Sequence, residues 1–255
     1  MLEEKMKHLP KRIILVRHGE CEVNEDERVL EYVPNHKIKL IERGVAQAKM
    51  AASKIREIVS ENANWKIFFY VSPWNRTRAT MEEMIGRGET FTTDKIVGIR
   101  EDCRLREQHS GNFQNVEEMR KMKRERNSYG KFFYRVPHGE SAADVYDRVS
   151  SFVEELWREM ESNKSEELNL IVVSHGLIIL LLLMKLFNWT VDEFEGLINP
   201  PNCEYRVLQL GAGGKYNLAH HHIDELKQWG LSDQMIKDQI IRARGFQPFL
   251  DQPED

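Results

Sequence analysis

The sequence has 255 residues, of which 41% are hydrophobic and 31% are charged, and its formal net charge is -4. This length and composition are typical of a soluble globular protein with a substantial core, and the acidic balance argues against a general nucleic-acid-binding protein. The three cysteines, Cys21, Cys103 and Cys203, show neither CxxC spacing nor a disulfide framework, so we expect free thiols and a cytoplasmic location.

Short apolar runs followed by turns predict buried strands, and helical spacing of apolar residues predicts the helices between them. The predicted strands are residues 12–16, 66–71, 95–99 and 168–173, with a hairpin at 205–210 and 216–219. Helices are predicted from residue 42 to about residue 62, after Ser72-Pro73, and over 142–162. This alternation predicts one domain over 1–255 with a three-layer α/β/α sandwich and a mostly parallel central sheet.

Other segments are expected to surround this core, which we place at about 11–220. Residues 20–36 are acidic and aperiodic and predict a loop, whereas the basic residues between 104 and 134 predict helices that cover the strand ends. Residues 221–255 form a C-terminal extension, with a helix pair predicted over 222–244. The long apolar run at 176–184 is too short to span a bilayer and predicts a buried helix. The charged first residues lack an apolar run, so we expect no secretory signal.

Two predicted strands end in the same dipeptide, His18-Gly19 and His175-Gly176. In open α/β sheets, ligands bind outside the carboxyl ends of the strands. Arg17 precedes His18, and Arg76 falls on the first turn of the helix after a third strand. A helix amino terminus favours anions, and arginine matches phosphate oxygens in a bidentate manner. These residues therefore predict a site for a phosphate monoester.

Six short motifs occur along the chain in a fixed order. They are Arg17-His18-Gly19-Glu20 with Asn24, Gly44 with Gln47-Ala48, Ser72-Pro73 with Arg76 and Thr80, Leu105-Arg106-Glu107 with Gly111, Gly139-Glu140-Ser141, and Ser174-His175-Gly176. Together they resemble the histidine phosphatase superfamily, in the branch that includes the cofactor-dependent phosphoglycerate mutases. The resemblance covers nearly the whole chain up to about residue 219, and the sequence looks most similar to plant phosphoglycerate mutase-like proteins.

The resemblance implies a role for each site residue. His18 would be the nucleophile and form a phosphohistidine, and Glu107 would protonate the leaving oxygen and then activate water. The other groups that would hold the phosphate or substrate are Arg17, Arg76, His175, Asn24, Gly19 and Gly176. The neighbouring arginines should keep His18 neutral, and its second ring nitrogen should donate to a backbone carbonyl. No metal or cofactor is expected, because side chains supply the positive charge.

The sequence also departs from the family's pattern. Cys21 stands where serine or threonine is usual. Two neighbouring cations can lower the pKa of a thiol and make it sensitive to oxidation, but a passive thiol is the favoured interpretation. Ile41 replaces the usual threonine before the first long helix. The paired-arginine segment by which true mutases grip a carboxylate is not found, which favours a phosphatase over a mutase.

The sequence is compatible with several functions. The protein could be a phosphatase for a small phosphorylated metabolite, a mutase, or a catalytically weak binding or regulatory module. Glu101 and Glu140 compete with Glu107 for the role of acid, and Glu107 could instead pair with Arg106. The basic residues 121–126 form either a solvated helix face, which is favoured, or a substrate clamp. The run His220-His221-His222 does not share one face, which disfavours a metal site. We expect no nucleic-acid partner, no membrane span, and a monomer or homodimer.

Overall fold

A computed structural model of the chain describes residues 9–111, 115–162 and 167–244. Its sheet has six strands: β1 (Arg12–Arg17), β2 (Lys66–Val71), β3 (Ile96–Glu101), β4 (Leu168–Ser174), β5 (Tyr205–Leu210) and β6 (Tyr216–Asn217). Their order is β3-β2-β4-β1-β5-β6. The first four strands run parallel, while β5 and β6 are antiparallel to their neighbours. The predicted mostly parallel sheet is confirmed.

The register of the central strands places their carboxyl ends side by side. Strand β4 lies between β1 and β2, and all seven of its residues are buried. Arg17 of β1 pairs with Ser174 of β4, so His18 and His175 follow at the same level of the sheet. This register explains why the two histidines meet although 157 residues of sequence separate them (175 − 18).

Nine α-helices surround the sheet in the described ranges. They are α1 (Glu22–Glu25), α2 (Glu42–Val59), α3 (Asn75–Ile85), α4 (Val116–Tyr129), α5 (Ala142–Ser162), α6 (Gly176–Phe187), α7 (Val191–Gly196), α8 (Ile223–Gln228) and α9 (Asp233–Arg244).

Alternate residues of the strands face two separate apolar cores, as the two-residue period of a strand requires. On one face, Ile13 and Leu15 of β1 pack with α5, α6 and α7. On the other face, Ile14 and Val16 pack with α2 and α3. The sheet therefore lies between two helical layers, which confirms the predicted α/β/α sandwich.

Helix α6 begins directly after His175 and is apolar around most of its circumference. Leu181 and Ile178 are fully buried in it, so the predicted buried helix is confirmed. Among the described residues, no helix combines the length and the hydrophobicity needed to cross a bilayer.

Residues 20–36 differ from the predicted loop. They contain α1 and two short 3-10 helical turns, Glu27–Glu31 and Asn35–Lys37. Local capping explains the first of these turns: the Asp26 carboxylate accepts the Arg28 backbone N–H, a contact that stabilises a helical turn without any apolar periodicity. Helix α4 lies where a covering helix was predicted, and its Lys123 forms an ion pair with Glu27 at 2.6 Å.

Candidate active site

The carboxyl ends of β1 and β4 bring His18 and His175 together. His18 is 4% exposed and His175 is fully buried, and their ring centroids lie 5.3 Å apart. The structure thus places the two His-Gly dipeptides at one edge of the sheet, as predicted.

The hydrogen bonds of His18 define which ring nitrogen carries the lone pair. The Arg76 Nε–H donates to His18 Nε2 at 3.1 Å, and because a guanidinium can only donate, Nε2 must accept. The neutral ring then carries its proton on Nδ1, which donates to the Gly19 carbonyl oxygen at 2.8 Å. The expected contact to a backbone carbonyl is therefore present.

The pKa of His18 lies well below its usual value, chiefly because the ring is buried and secondly because Arg76 is close. The neighbouring arginines were expected to keep the ring neutral, but burial is the larger cause. The imidazole is therefore neutral near pH 7, with its lone pair on Nε2.

Arg76 lies in the first turn of α3, as predicted, and is 5% exposed. Its Nη1 donates to the backbone oxygen of Asn35 at 2.8 Å and to the Asn35 side-chain oxygen at 3.1 Å. The guanidinium also lies 4.6 Å from the centre of the Trp74 ring. Asn35 was not singled out from the sequence, because nothing in an aperiodic segment indicates a contact with Arg76.

Arg17 is positioned by a segment that is distant in sequence. Its Nη1 donates to the Pro200 carbonyl oxygen at 2.5 Å. The Asn202 side chain donates to the His18 carbonyl oxygen at 3.0 Å, and the Cys203 N–H donates to the Arg17 carbonyl oxygen at 3.1 Å. The segment from Pro200 to Cys203 thus fixes the end of β1, a long-range role without any local sequence signal.

His175 is oriented by a side chain rather than by the backbone. Its Nε2 shares a hydrogen bond with the Ser72 hydroxyl at 2.8 Å, and its ring packs edge-on against Trp74, with centroids 5.0 Å apart. Its Nδ1 has no hydrogen-bond partner among the described residues and lies 3.9 Å from Oε2 of Glu107. Burial first, and Arg76 second, lower the pKa of His175 well below its usual value.

Glu107 is the carboxyl group that the structure places beside the two histidines. Its side chain is 23% exposed, and one oxygen accepts the Gln108 backbone N–H at 2.9 Å. Burial raises its pKa above the usual value, against the opposing effect of Arg76 and Arg17. A carboxyl group with a raised pKa holds a proton to higher pH, as a general acid must.

The two competing glutamates have other partners. Glu101 lies 3.6 Å from Arg78, and both side chains are about half exposed. Glu140 pairs with Arg106 and Arg148 at 3.0 Å. Although burial alone would raise the pKa of Glu140, its hydrogen bond from Arg148 and the His109 N–H hold that pKa below the usual value. Both glutamates therefore contact arginines rather than the two histidines.

Asn24 and Gly19 make contacts other than those implied by the resemblance. Asn24 is exposed, and its side-chain oxygen accepts the Cys21 N–H at 3.0 Å, which caps α1. The Gly19 N–H donates to the Thr80 hydroxyl at 3.0 Å, and a Cβ at residue 19 would lie 2.5 Å from the Gly44 carbonyl oxygen. In this structure Gly19 permits close packing of the backbone, and its N–H already has a partner.

Gly176 also permits a close approach. A Cβ there would lie 2.1 Å from the Asn199 side-chain oxygen, so Gly176 makes room for the Asn199 amide at the start of α6.

The pKa of Cys21 is raised, because burial outweighs the opposing effect of Arg76 and Arg17. The lowered pKa that the two cations alone would give is not found, since Cys21 is only 3% exposed.

The arrangement combines a neutral nitrogen nucleophile with positive charge and an acid. Arg17 and Arg76 provide positive charge around the lone pair of His18 Nε2, and the carboxyl group of Glu107, whose pKa is raised, lies beside His175. Phosphoryl transfer depends mainly on positioning and on stabilisation of negative charge. The geometry is suited to accepting a phosphoryl group on His18.

Comparison with known proteins agrees with this chemistry. Residues 13–222 match the model of the histidine phosphatase superfamily (branch 1). The phosphoglycerate mutase-like protein AT74 of Arabidopsis thaliana is 52% identical over 246 residues, which cover 93% of this chain and 77% of that protein. The broad-range acid phosphatase DET1 of Saccharomyces cerevisiae is 29% identical over 286 residues. This alignment covers 79% of this chain and 86% of DET1.

Solved structures share the fold. A mycobacterial glucosyl-3-phosphoglycerate phosphatase, in complex with VO3, superposes with a TM-score of 0.60 and 24% sequence identity. The superposition covers 78% of this chain and 91% of that one.

Proposed function

Because the chain belongs to branch 1 of the histidine phosphatase superfamily, we propose that it is a phosphatase that hydrolyses phosphate monoesters of small metabolites through a phosphohistidine at His18. The family membership confirms the resemblance that the six motifs predicted, and the superfamily includes both phosphatases and mutases. The observation that carries the proposal is the state of His18, whose Nε2 accepts a hydrogen bond from Arg76 and so presents a lone pair.

The substrate phosphate binds between the positive side chains. Arg17 and Arg76 donate to its oxygens, and His175 contacts it through Nδ1, which has no partner among the described residues. Arg76 releases its hydrogen bond to His18 Nε2 as phosphorus approaches that nitrogen. These residues supply the positive charge that a phosphate dianion requires, so the reaction needs no metal ion.

In the first transfer, the lone pair of His18 Nε2 forms a bond to phosphorus while the bond from phosphorus to the ester oxygen breaks. Glu107 gives its proton to the departing oxygen. The products are an alcohol, a phosphohistidine and the carboxylate of Glu107.

In the second transfer, water attacks phosphorus and the bond from phosphorus to Nε2 breaks. The Glu107 carboxylate takes the proton from the water. Inorganic phosphate leaves, and both His18 and Glu107 return to their starting states, so the cycle closes without another reactant.

Two observations favour water over a second substrate hydroxyl as the acceptor. The sequence lacks the paired-arginine segment of the true mutases, and one relative, DET1, is named a broad-range acid phosphatase. A mutase would instead return the phosphoryl group to the substrate, and the relative AT74 is named mutase-like.

The test uses the purified full chain with p-nitrophenyl phosphate and a panel of phosphorylated metabolites in water enriched in oxygen-18. A phosphatase releases inorganic phosphate that carries one oxygen-18 atom from the solvent. Isomerised substrate without oxygen-18 would assign the chain as a mutase, and binding without turnover would assign it as a binding module.

A chelator provides a separate test of the metal-free mechanism. We expect EDTA to leave the rate of hydrolysis unchanged, since the charge comes from Arg17 and Arg76. Loss of activity that a divalent cation restores would contradict this mechanism.

A further inference from the structure

A cavity of about 280 Å³ adjoins the catalytic residues. Glu107 and Asn35 both line it. Glu107 lies 3.9 Å from His175, and Asn35 accepts hydrogen bonds from Arg76. The cavity therefore opens beside the group that is proposed to protonate the leaving oxygen, where the organic part of a substrate would lie.

Two cations from the covering segment line this cavity. Arg126 lies in the last turn of α4, and Lys131 follows the end of that helix. The guanidinium of Arg126 makes no hydrogen bond or ion pair with any residue that the structure describes, and its Nε is buried. Lys131 donates to the Leu197 carbonyl oxygen at 3.1 Å, which is a neutral partner.

Three other cations of α4 have carboxylate partners, whereas Arg124 is exposed to solvent. Arg120 and Lys123 pair with Glu27, and Lys121 lies 3.9 Å from Glu125. Glu195, whose charge acts on the pKa of Lys131, already accepts the Phe132 N–H at 2.8 Å. Neither Arg126 nor Lys131 forms an ion pair with a carboxylate among the described residues, although Glu107 lines the same cavity.

Four apolar residues also line this cavity. Leu177 and Leu180 come from the first turns of α6, and Phe194 and Leu197 come from α7 and the residue after it. Carbon-rich groups bind to such a surface through loss of water-exposed apolar area. The cavity therefore offers an apolar body site and two cations within one space that lies beside the proposed acid.

We propose, on the basis of the proposed function, that this cavity binds the leaving group of the substrate and selects esters with an apolar body and a second negative charge. A carboxylate matches the forked donors of Arg126 in a bidentate manner, and Lys131 adds a point charge. Arg126 and Lys131 would then determine specificity, while His18 and Glu107 carry out the transfer.

The test compares two substrates that differ in one group, phenyl phosphate and para-carboxyphenyl phosphate. For the wild-type chain we expect a kcat/KM that is about 10-fold higher for the carboxylated ester, from one charge-assisted contact and mainly through KM. Arg126→Gln and Lys131→Gln should each lower this ratio. The ratio compares two substrates on one preparation, so it does not depend on the fraction of folded protein.

Arg124→Gln is the matched control. Arg124 lies on the same helix, is exposed and does not line the cavity. This variant should keep the wild-type ratio. Equal kcat/KM for the two esters in the wild-type chain, or the same ratio in Arg126→Gln and Arg124→Gln, would overturn the proposed subsite while leaving the hydrolase proposal intact.

A binding measurement separates this inference from the proposed function. Calorimetry with benzylphosphonate and para-carboxybenzylphosphonate needs no turnover. Tighter binding of the carboxylated compound that is lost in Arg126→Gln supports the subsite even if no ester is hydrolysed, an outcome in which only the hydrolase proposal fails. Equal binding of the two phosphonates contradicts the subsite.

Discussion

The two strand ends, at His18-Gly19 and His175-Gly176, have the same dipeptide but different surroundings. The backbone holds His18, whose Nδ1 donates to the Gly19 carbonyl oxygen, and its Nε2 accepts from Arg76. A side chain holds His175, whose Nε2 contacts the Ser72 hydroxyl, and its Nδ1 lies near Glu107. The same two residues therefore present opposite ring nitrogens to the site.

This difference assigns the chemistry. The lone pair of His18 lies against a guanidinium, where phosphate oxygens would bind, whereas His175 is fully buried and lies beside the acid. We accordingly propose His18 as the group that becomes phosphorylated and His175 as a group that contacts the phosphoryl oxygens. The surroundings of each turn, and not its sequence, distinguish the two roles.

The largest effect is expected for His18→Ala. Loss of an enzyme's nucleophile lowers kcat by about 10⁴-fold or more, so hydrolysis of p-nitrophenyl phosphate and formation of an acid-labile phosphoenzyme should both disappear. Far-ultraviolet circular dichroism checks that the variant is folded. Substantial phosphoenzyme in this variant would show that another residue is the nucleophile.

Glu107→Gln should lower kcat/KM for an alkyl phosphate by about 10²- to 10⁴-fold, the usual contribution of a general acid. Since burial raises the pKa of Glu107, we expect the wild-type chain to be active at acidic pH and to lose activity as rising pH removes that proton. Protonation of His18 should also abolish activity. Because the pKa of His18 is lowered, this loss is expected at a lower pH than for an ordinary histidine.

The pH profile of kcat/KM, measured for wild type and variant with one substrate, checks this assignment. The decline at higher pH should vanish in Glu107→Gln, because the amide does not titrate. An unchanged decline of kcat/KM at higher pH would show that Glu107 is not the general acid. Glu140→Gln is unsuitable as a control for this purpose, because it would break the contacts with Arg106 and Arg148.

His175→Ala should lower kcat by about 10²- to 10³-fold, as for loss of one group that stabilises developing charge. The phosphoenzyme should still form, slowly, because His18 remains. Rapid-quench measurement of the phosphoenzyme distinguishes this result from that of His18→Ala. Complete loss of the phosphoenzyme in folded His175→Ala would contradict the proposal that only His18 is essential for forming it.

Ser72→Ala tests how His175 is oriented. It removes a buried hydrogen bond at 2.8 Å, worth about 1 kcal/mol, so we expect about a 5- to 10-fold lower kcat. Ser72→Thr keeps a hydroxyl and should retain more activity. An unchanged kcat in folded Ser72→Ala would mean that the hydroxyl does not position the ring. His18 offers no equivalent test, because its partner is a backbone carbonyl.

The smallest effects on catalysis are expected from substitutions at Gly19 and Gly176. These substitutions should differ instead in how much they destabilise the fold. Gly19→Ala would set a Cβ 2.5 Å from the Gly44 carbonyl oxygen, whereas Gly176→Ala would meet the movable side chain of Asn199. We expect Gly19→Ala to destabilise the fold by about 1–3 kcal/mol and Gly176→Ala by less. Urea unfolding of both variants measures this, and equal midpoints would contradict it.

Much of the sheet could be predicted, because strand patterns are local. The predicted strand at 66–71 matches β2, and the strand at 12–16 ends one residue before β1 does. The helical turn at Glu27–Glu31 was missed, since it depends on the capping contact of Asp26 with Arg28 rather than on apolar periodicity.

The site could be predicted in part for the same reason. His18, His175 and Arg76 follow strands, so their meeting at one edge follows from the register of the sheet. The contacts of Arg17 with Pro200 and of Arg76 with Asn35 join distant segments and have no signature in either one. The raised pKa of the Cys21 thiol could not be predicted, because its burial depends on the packing around it.

The central claim is that His18 carries the phosphoryl group on Nε2. The most direct measurement is to quench the enzyme during turnover, digest it under alkaline conditions and identify the phosphorylated residue and its isomer by mass spectrometry and phosphorus NMR. We predict a phosphohistidine at His18, linked through Nε2. Phosphate on another residue, or on Nδ1 of His18, would contradict the proposed mechanism.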